Sequence, residues 1–149
     1  MLDKIDKILL NRIQSDFPIT PRPFQKLGLE LGLSERDVIK RVAKLKKTGF
    51  IRRIGGNFVP EKLGFVSTLC AAKVSQDKIS CFAATVNKYP GVTHNYIRDN
   101  EFNIWFTFIA PSMSIVEQHI EEIKRETGVA LILNLPATRV FKIKAHFNL

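Results

Sequence analysis

Hydrophobic positions along the chain change their period near residue 65. Upstream they recur every three or four residues, the repeat of a one-sided helix. Leu2, Ile5, Ile8, Leu9 and Ile13 line a first helix that ends near Ser15. The segment Phe17-Pro-Ile-Thr-Pro-Arg-Pro breaks it, because proline cannot continue a helix interior. A second helix spans Phe24 to Leu31 and stops at Gly32. Ser34 is placed to cap a third, with Glu35 and Asp37 in its first turn, where the helix dipole favours acids. Val38, Val42 and Leu45 give that helix its buried stripe and Gly49 its C-cap. Phe50-Ile-Arg-Arg-Ile-Gly-Gly-Asn-Phe-Val then reads as two short β-prone runs about a Gly-Gly turn. Three helices followed by a small hairpin predict a winged helix-turn-helix domain over 1–65.

Downstream, alternation takes over. Strands are expected at Thr68 to Val74, Val92 to Arg98, Asn103 to Ile109, Val129 to Leu133 and Arg139 to Ile143. Helices are expected at Asp77 to Lys88 and at Ser114 to Glu126, the latter with Ile115, Val116, Ile120 and Ile123 inward. The order βαββαβ predicts a ferredoxin-like domain over 66–149, and an α+β fold for the whole chain. Helices cover one face of such a sheet. Its other face must meet water, a ligand or another subunit.

Composition narrows the function classes. The chain has 149 residues, 45% of them hydrophobic, and 23 Lys plus Arg against 14 Asp plus Glu, a net charge of +9. So many aliphatic and Phe residues exclude a disordered chain. No apolar stretch approaches the roughly 20 residues of a membrane span, and the amino terminus lacks the pattern of a signal peptide. Cys70 and Cys81 have no metal-binding or redox spacing, so a cytoplasmic location is expected. The positive charge requires an anionic partner. It is concentrated in residues 1–65, with 14 basic against 7 acidic side chains, compared with 9 against 7 in residues 66–149.

Strand alternation sorts the open face. Ile104, Phe106 and Phe108 should point at the helices, leaving Asn103, Trp105 and Thr107 on the open side. The preceding strand sorts less cleanly. Val92, His94, Tyr96 and Arg98 share one phase, and His94, Tyr96 and Arg98 are assigned to the open face for their polar-aromatic character. An imidazole, a phenol, a guanidinium and an indole together suit a flat, anionic ligand: arginine forks carboxylates, aromatics stack on a conjugated ring, and histidine exchanges protons near neutrality. Subunit interfaces enrich the same residue types, so an interface without chemistry stands beside the ligand reading. His119 is expected to be solvated beside acidic neighbours, and His146 to lie at the surface.

The layout of a winged helix before a ferredoxin-like module resembles the Lrp/AsnC regulators along the whole chain. The segments FPITPRPF (17–24), GFIRRIGG (49–56), PGVTHNYIRDNEFNIWFT (90–107) and LPATRVFKI (135–143) are more specific, and resemble the siroheme decarboxylases of the alternative haem and haem d1 pathways. The resemblance implies an enzyme, a carboxy-lyase removing the acetate carboxyl groups at ring carbons 12 and 18 of siroheme to give 12,18-didecarboxysiroheme. It implies no separate organic cofactor and no metal site of the protein's own, since iron arrives within the substrate. The HNYIR and NIWFT strings are similar to the first of two paralogous subunit types, which implies a heterodimer or, failing that, a homo-oligomer. The family's substrate-site histidine and arginine correspond to His94 and Arg98. The expected catalytic set is therefore His94 as proton donor or axial iron ligand, with Tyr96 and Arg98. Arg52, Arg53, Asn95, Asn103, Trp105 and Arg139 are expected to bind substrate.

A DNA-binding regulator of the Lrp/AsnC type is the competing reading, supported by the basic helical domain. Glu35 and Asp37 at the start of the would-be recognition helix disfavour it, because base and phosphate contacts are made there. Asp99-Asn-Glu-Phe-Asn103 also departs from the Gly-Asp-Tyr-Asp-like turn of the regulators. A non-catalytic paralogue, whose partner carries the chemistry, is the third reading.

Overall fold

The computed structural model describes residues 2–142 together with Phe147 and Leu149. The chain forms two compact units, Met1–Gly56 with Lys142–Leu149, and Asn57–Phe141.

The first unit holds α1 (Lys4–Ser15), α2 (Pro23–Leu31) and α3 (Glu35–Lys47). Each helix begins where the local chemistry allows. Asp3 and Asp6 form a reciprocal capping box on α1, proline opens α2, and the Ser34 hydroxyl accepts from the Asp37 amide on α3. Leu9, Leu27, Val38, Val42, Leu45 and Ile51 form the core. The buried face of α1 differs from the expected stripe: Ile8 is exposed, whereas Asp6 is only 3% exposed. The reason lies on α3, where Arg41 Nη1 donates to Asp6 Oδ1 and Asp3 Oδ2, both at 2.6 Å. A carboxylate is tolerated inside when it is paired and hydrogen-bonded.

The expected hairpin is absent, because residues 51–59 lie in no strand. A two-residue turn of the favoured type needs positive φ at both central positions. The described residues with positive φ are Gly32, Gly49, Gly64 and Gly128, so neither Gly55 nor Gly56 supplies it. Residues 139–142 also form no strand, and Ile143 lies outside the described residues. Phe147 instead bonds to α1, its amide donating to Gln14 Oε1 at 3.1 Å and its carbonyl accepting from Gln14 Nε2 at 2.6 Å.

The second unit runs β1 (Val66–Ala72), α4 (Ile79–Val86), β2 (Val92–Ile97), β3 (Ile104–Ala110), α5 (Met113–Thr127) and β4 (Ile132–Pro136). The sheet order is β2-β3-β1-β4, antiparallel throughout. This is the expected βαββαβ arrangement with two local shifts. The first turn of the α4 region is a 3-10 turn at Gln76–Lys78. The last strand begins at Ile132 because Val129, just after the left-handed Gly128, is spent on the core. Phe82, Phe106, Phe108, Val116 and Ile123 fill the space between sheet and helices.

Candidate active site on the open sheet face

β3 alternates as expected. Ile104, Phe106 and Phe108 are buried beneath the helices, while Trp105 and Thr107 face the other way, partly exposed. The phase of β2 follows from its pairing. Val92 pairs with Phe108, His94 with Thr107, Asn95 with Phe106 and Tyr96 with Trp105. One residue more is used on β2 than on β3 between the first two pairs, which makes Thr93 the extra residue of a β-bulge. Val92 accordingly packs on the core, and His94 and Tyr96 join Trp105 and Thr107 on the open face. A strand of uninterrupted alternation would put Val92 and His94 on the same side. The bulge separates them.

Gly91 lets the bulge lie close to β3: its carbonyl accepts from Ile109 N at 2.8 Å, and a Cβ on it would stand 2.1 Å from Ile109 O. The His94 and Tyr96 rings stack at 5.9 Å and 25°. His94 Nδ1 lies 3.0 Å from Thr93 Oγ1. At the end of β2 the Arg98 amide donates to Asn103 O at 2.7 Å, and the Arg98 guanidinium sits over Trp105, 5.6 Å from the ring centroid. Trp105 is itself held, its indole nitrogen donating to Phe102 O at 2.6 Å. His94, Tyr96, Arg98 and Trp105 thus form one group. Leu69 on β1 and Leu133 and Leu135 on β4 continue the same face with apolar surface. Four strands span about 14 Å, and the face offers a flat apolar floor with a polar, cationic rim along β2.

The other expected site residues lie elsewhere. Asn95 faces α4, where its Nδ2 donates to Asn87 Oδ1 at 3.0 Å and Ala83 O at 3.4 Å. Asn103 clamps the backbone of Val74 through both ends of its amide, accepting at 2.9 Å and donating at 2.8 Å. Both amides are occupied in holding the fold and neither belongs to the open-face group. Arg139 follows β4 and stacks on Phe141, its Cζ 4.9 Å from that ring. Arg52 and Arg53 belong to the first unit, where they line a cavity of about 830 Å³ with Leu10, Ile13, Phe17 and Ile54.

Three features were not expected. Thr93 is one: alternation cannot reveal a bulge, although Gly91 two residues earlier marks the close approach. The ion pairing of Arg41 is another. The third is His119, which is half-buried rather than solvated. It stacks on Phe108 at a centroid distance of 5.6 Å and meets the tilted ring of Tyr89 at 4.8 Å, and its Nδ1 lies 3.0 Å from Glu122 Oε2. That hydrogen bond, with one from Gln118, holds the Glu122 carboxyl below its usual range, while burial raises the neighbouring Tyr89 phenol. His146 lies outside the described residues. Among the described residues no helix is long and apolar enough to cross a membrane.

Comparison with known proteins agrees with this architecture. Residues 6–52 match the siroheme decarboxylase NirDL-like HTH domain, and residues 62–142 the AsnC-like ligand binding domain. The siroheme decarboxylase alpha subunit of Desulfovibrio desulfuricans is 53% identical over 99% of this chain and 85% of its own length. The siroheme decarboxylase NirG subunit of Pseudomonas aeruginosa is 34% identical over 99% of this chain and 100% of its own length. Among solved structures, the siroheme decarboxylase NirDL has a TM-score of 0.71 at 35% identity, covering 99% of this chain. This chain spans 48% of that one, and NirDL has also been solved in co-complex with an iron-uroporphyrin III analogue. The leucine response regulatory protein LrpA of Mycobacterium tuberculosis, with a TM-score of 0.81 at 22% identity, shares the fold. By identity over its full length, and by both of its domains, the chain belongs to the siroheme decarboxylase family.

Proposed function

We propose that the chain is a subunit of a cytoplasmic siroheme decarboxylase, acting on the acetate groups at ring carbons 12 and 18 to give 12,18-didecarboxysiroheme. The observation that carries this reading is the open-face group of His94, Tyr96, Arg98 and Trp105 in a chain of this family. Siroheme is a flat iron isobacteriochlorin with eight carboxylates. The apolar floor at Leu69, Leu133 and Leu135 suits its ring, and Arg98, already stacked on Trp105, suits a carboxylate that does not react. Arg139 is a cationic candidate for a further carboxylate beyond β4, and Arg52 and Arg53 are candidates for anion binding within the first unit.

Loss of carbon dioxide from a ring-attached acetate leaves an electron pair on the methylene carbon. The macrocycle accepts it once protonated at or beside the reacting pyrrole, which is general acid catalysis and calls for no organic cofactor. His94 supplies that proton, and Tyr96 stacked against it keeps the imidazole upright on the sheet. The exocyclic methylene so formed takes up a proton from solvent while the macrocycle releases the one it received, so that in sum each acetate loses carbon dioxide and gains one proton, becoming methyl. A role of His94 as axial ligand of the substrate iron is the alternative within this reading. The naming of relatives as alpha and as NirDL or NirG subunits supports a paralogous second chain, which would cover the rest of the ligand.

The regulator reading loses support from Arg41, one of the cations of α3, which is engaged by Asp3 and Asp6. Anaerobic incubation with siroheme, alone and with a paralogous subunit, tests the proposal by mass: stepwise loss of carbon dioxide is expected. Intact siroheme under both conditions would refute it. In His94→Ala, lost turnover with an unchanged siroheme spectrum assigns proton donation, and an altered spectrum assigns iron ligation.

A further inference from the structure

We propose that Thr93 is a positioning residue for His94, its hydroxyl accepting the Nδ1 proton so that Nε2 is the nitrogen offered to the macrocycle. This rests on the reading that His94 acts on the substrate. The two side chains are neighbours in sequence, and in a regular strand neighbours point to opposite faces and cannot meet. The bulge between the Val92 and His94 pairs removes that constraint and brings Oγ1 to 3.0 Å from Nδ1. Bulges re-aim side chains in this way next to active sites.

The direction of the hydrogen bond follows from the chemistry. As an acid, His94 carries protons on both nitrogens, so Nδ1–H donates and Oγ1 accepts. After Nε2 gives its proton to the macrocycle the ring is neutral, and the same hydrogen bond holds the remaining proton on Nδ1. As an iron ligand, His94 needs its lone pair on Nε2, which again places the proton on Nδ1. Both roles demand one arrangement, and no bond at Thr93 breaks in either. A hydrogen bond to the second ring nitrogen commonly fixes tautomer and ring orientation. Here Tyr96 holds one face of the imidazole and Thr93 holds its edge.

Thr93→Val keeps the β-branched shape of the bulge residue and removes only the hydroxyl, and Thr93→Ser restores the hydroxyl without the methyl. In the full chain with its partner subunit, heteronuclear NMR of the imidazole nitrogens should show the Nδ1–H tautomer for His94 in the wild type and Thr93→Ser. Thr93→Val should lose that preference. Its kcat should fall about 10- to 100-fold with KM nearly unchanged, and Thr93→Ser should recover most of the loss. Wild-type kcat in Thr93→Val, an unaltered tautomer, or equal impairment of both variants would overturn the proposal. Thr93→Ala, which fits any β-capable bulge, replaces Thr93→Val should the latter fail to fold. His94→Gln separates the two readings. An inactive His94→Gln beside a fully active Thr93→Val removes the role of Thr93 alone, whereas a fully active His94→Gln removes both.

Discussion

Replacing Gly91 by alanine tests whether the close approach of β2 to β3 is what sets the site. The added Cβ would stand 2.1 Å from Ile109 O, and 3.2 Å from both Ile109 C and a ring carbon of Phe108. Two of those three atoms are backbone, so a side-chain rotation cannot relieve the clash. Relief requires the strands to part by about 1 Å, the overlap to be removed before ordinary contact is restored. The parting also stretches the hydrogen bond from Ile109 N to Gly91 O, now 2.8 Å. Losing that bond costs about 1 kcal/mol, and overpacking a filled site about 1 to 3 kcal/mol. The sum, about 2 to 4 kcal/mol, lies below the total stability of an ordinary domain, about 5 to 15 kcal/mol.

Gly91→Ala is therefore expected to fold with a lower urea midpoint. Its turnover should suffer more than its stability. A displacement of about 1 Å at a reacting group can cost about 100-fold, and His94 lies only three residues beyond the clash. Equilibrium urea unfolding and siroheme turnover are the two assays, with Gly55→Ala as control, since a Cβ there meets nothing within 4 Å. Wild-type midpoint and wild-type turnover in Gly91→Ala would refute the reasoning. An equal loss in Gly55→Ala would show that the effect is not local to the bulge.

The two cysteines should differ sharply toward a thiol reagent. Cys70 is buried and its thiol is pushed up to about 12 by desolvation, whereas Cys81 is exposed. One thiol should react in the native protein and two in denaturant; two fast native thiols would contradict the packing of β1. Stability should also carry an acid limb from Glu122. Its carboxyl is held below the ordinary value of 4.5, first by the hydrogen bond to His119, so its contribution is complete above that value and is lost as pH falls through the lower, folded one. Thermal melts across that range should show a shallower acid limb in Glu122→Gln, and an unchanged limb would assign the loss to other carboxylates.

Much of the fold is legible because burial imposes a period on it. Ile104, Phe106 and Phe108 alternate with Trp105 and Thr107 since β3 has neighbours on both sides and helices on one face. The same logic fails on α1, where Asp6 takes a buried position that an aliphatic would normally fill. Its partner Arg41 lies 35 residues away, a distance that no local pattern reports. Asn95 and Asn103 show a related limit, because an amide that bonds within the fold reads in sequence like one that holds a ligand. Gly55-Gly56 shows the limit for turns, since residue type permits a tight hairpin without the backbone conformation that makes one.

The second strand carries the most instructive case. Its polar-aromatic residues identify the open face by chemistry, while their spacing from Val92 argues against sharing a face with Trp105. One extra residue resolves the conflict: with Thr93 left out of the pairing, Val92 and His94 take consecutive partners on β3 and so lie on opposite faces. The irregularity that obscures the register is also what brings a hydroxyl to His94 Nδ1. Deleting Thr93 would restore regular alternation and leave His94 and Tyr96 on the open face, but it would remove the hydroxyl that lies 3.0 Å from His94 Nδ1. A chain selected for strand stability alone would have no use for the bulge. Its presence beside Gly91, where β2 comes close to Ile109, gives the imidazole on the open face a hydroxyl partner that a regular strand would not supply.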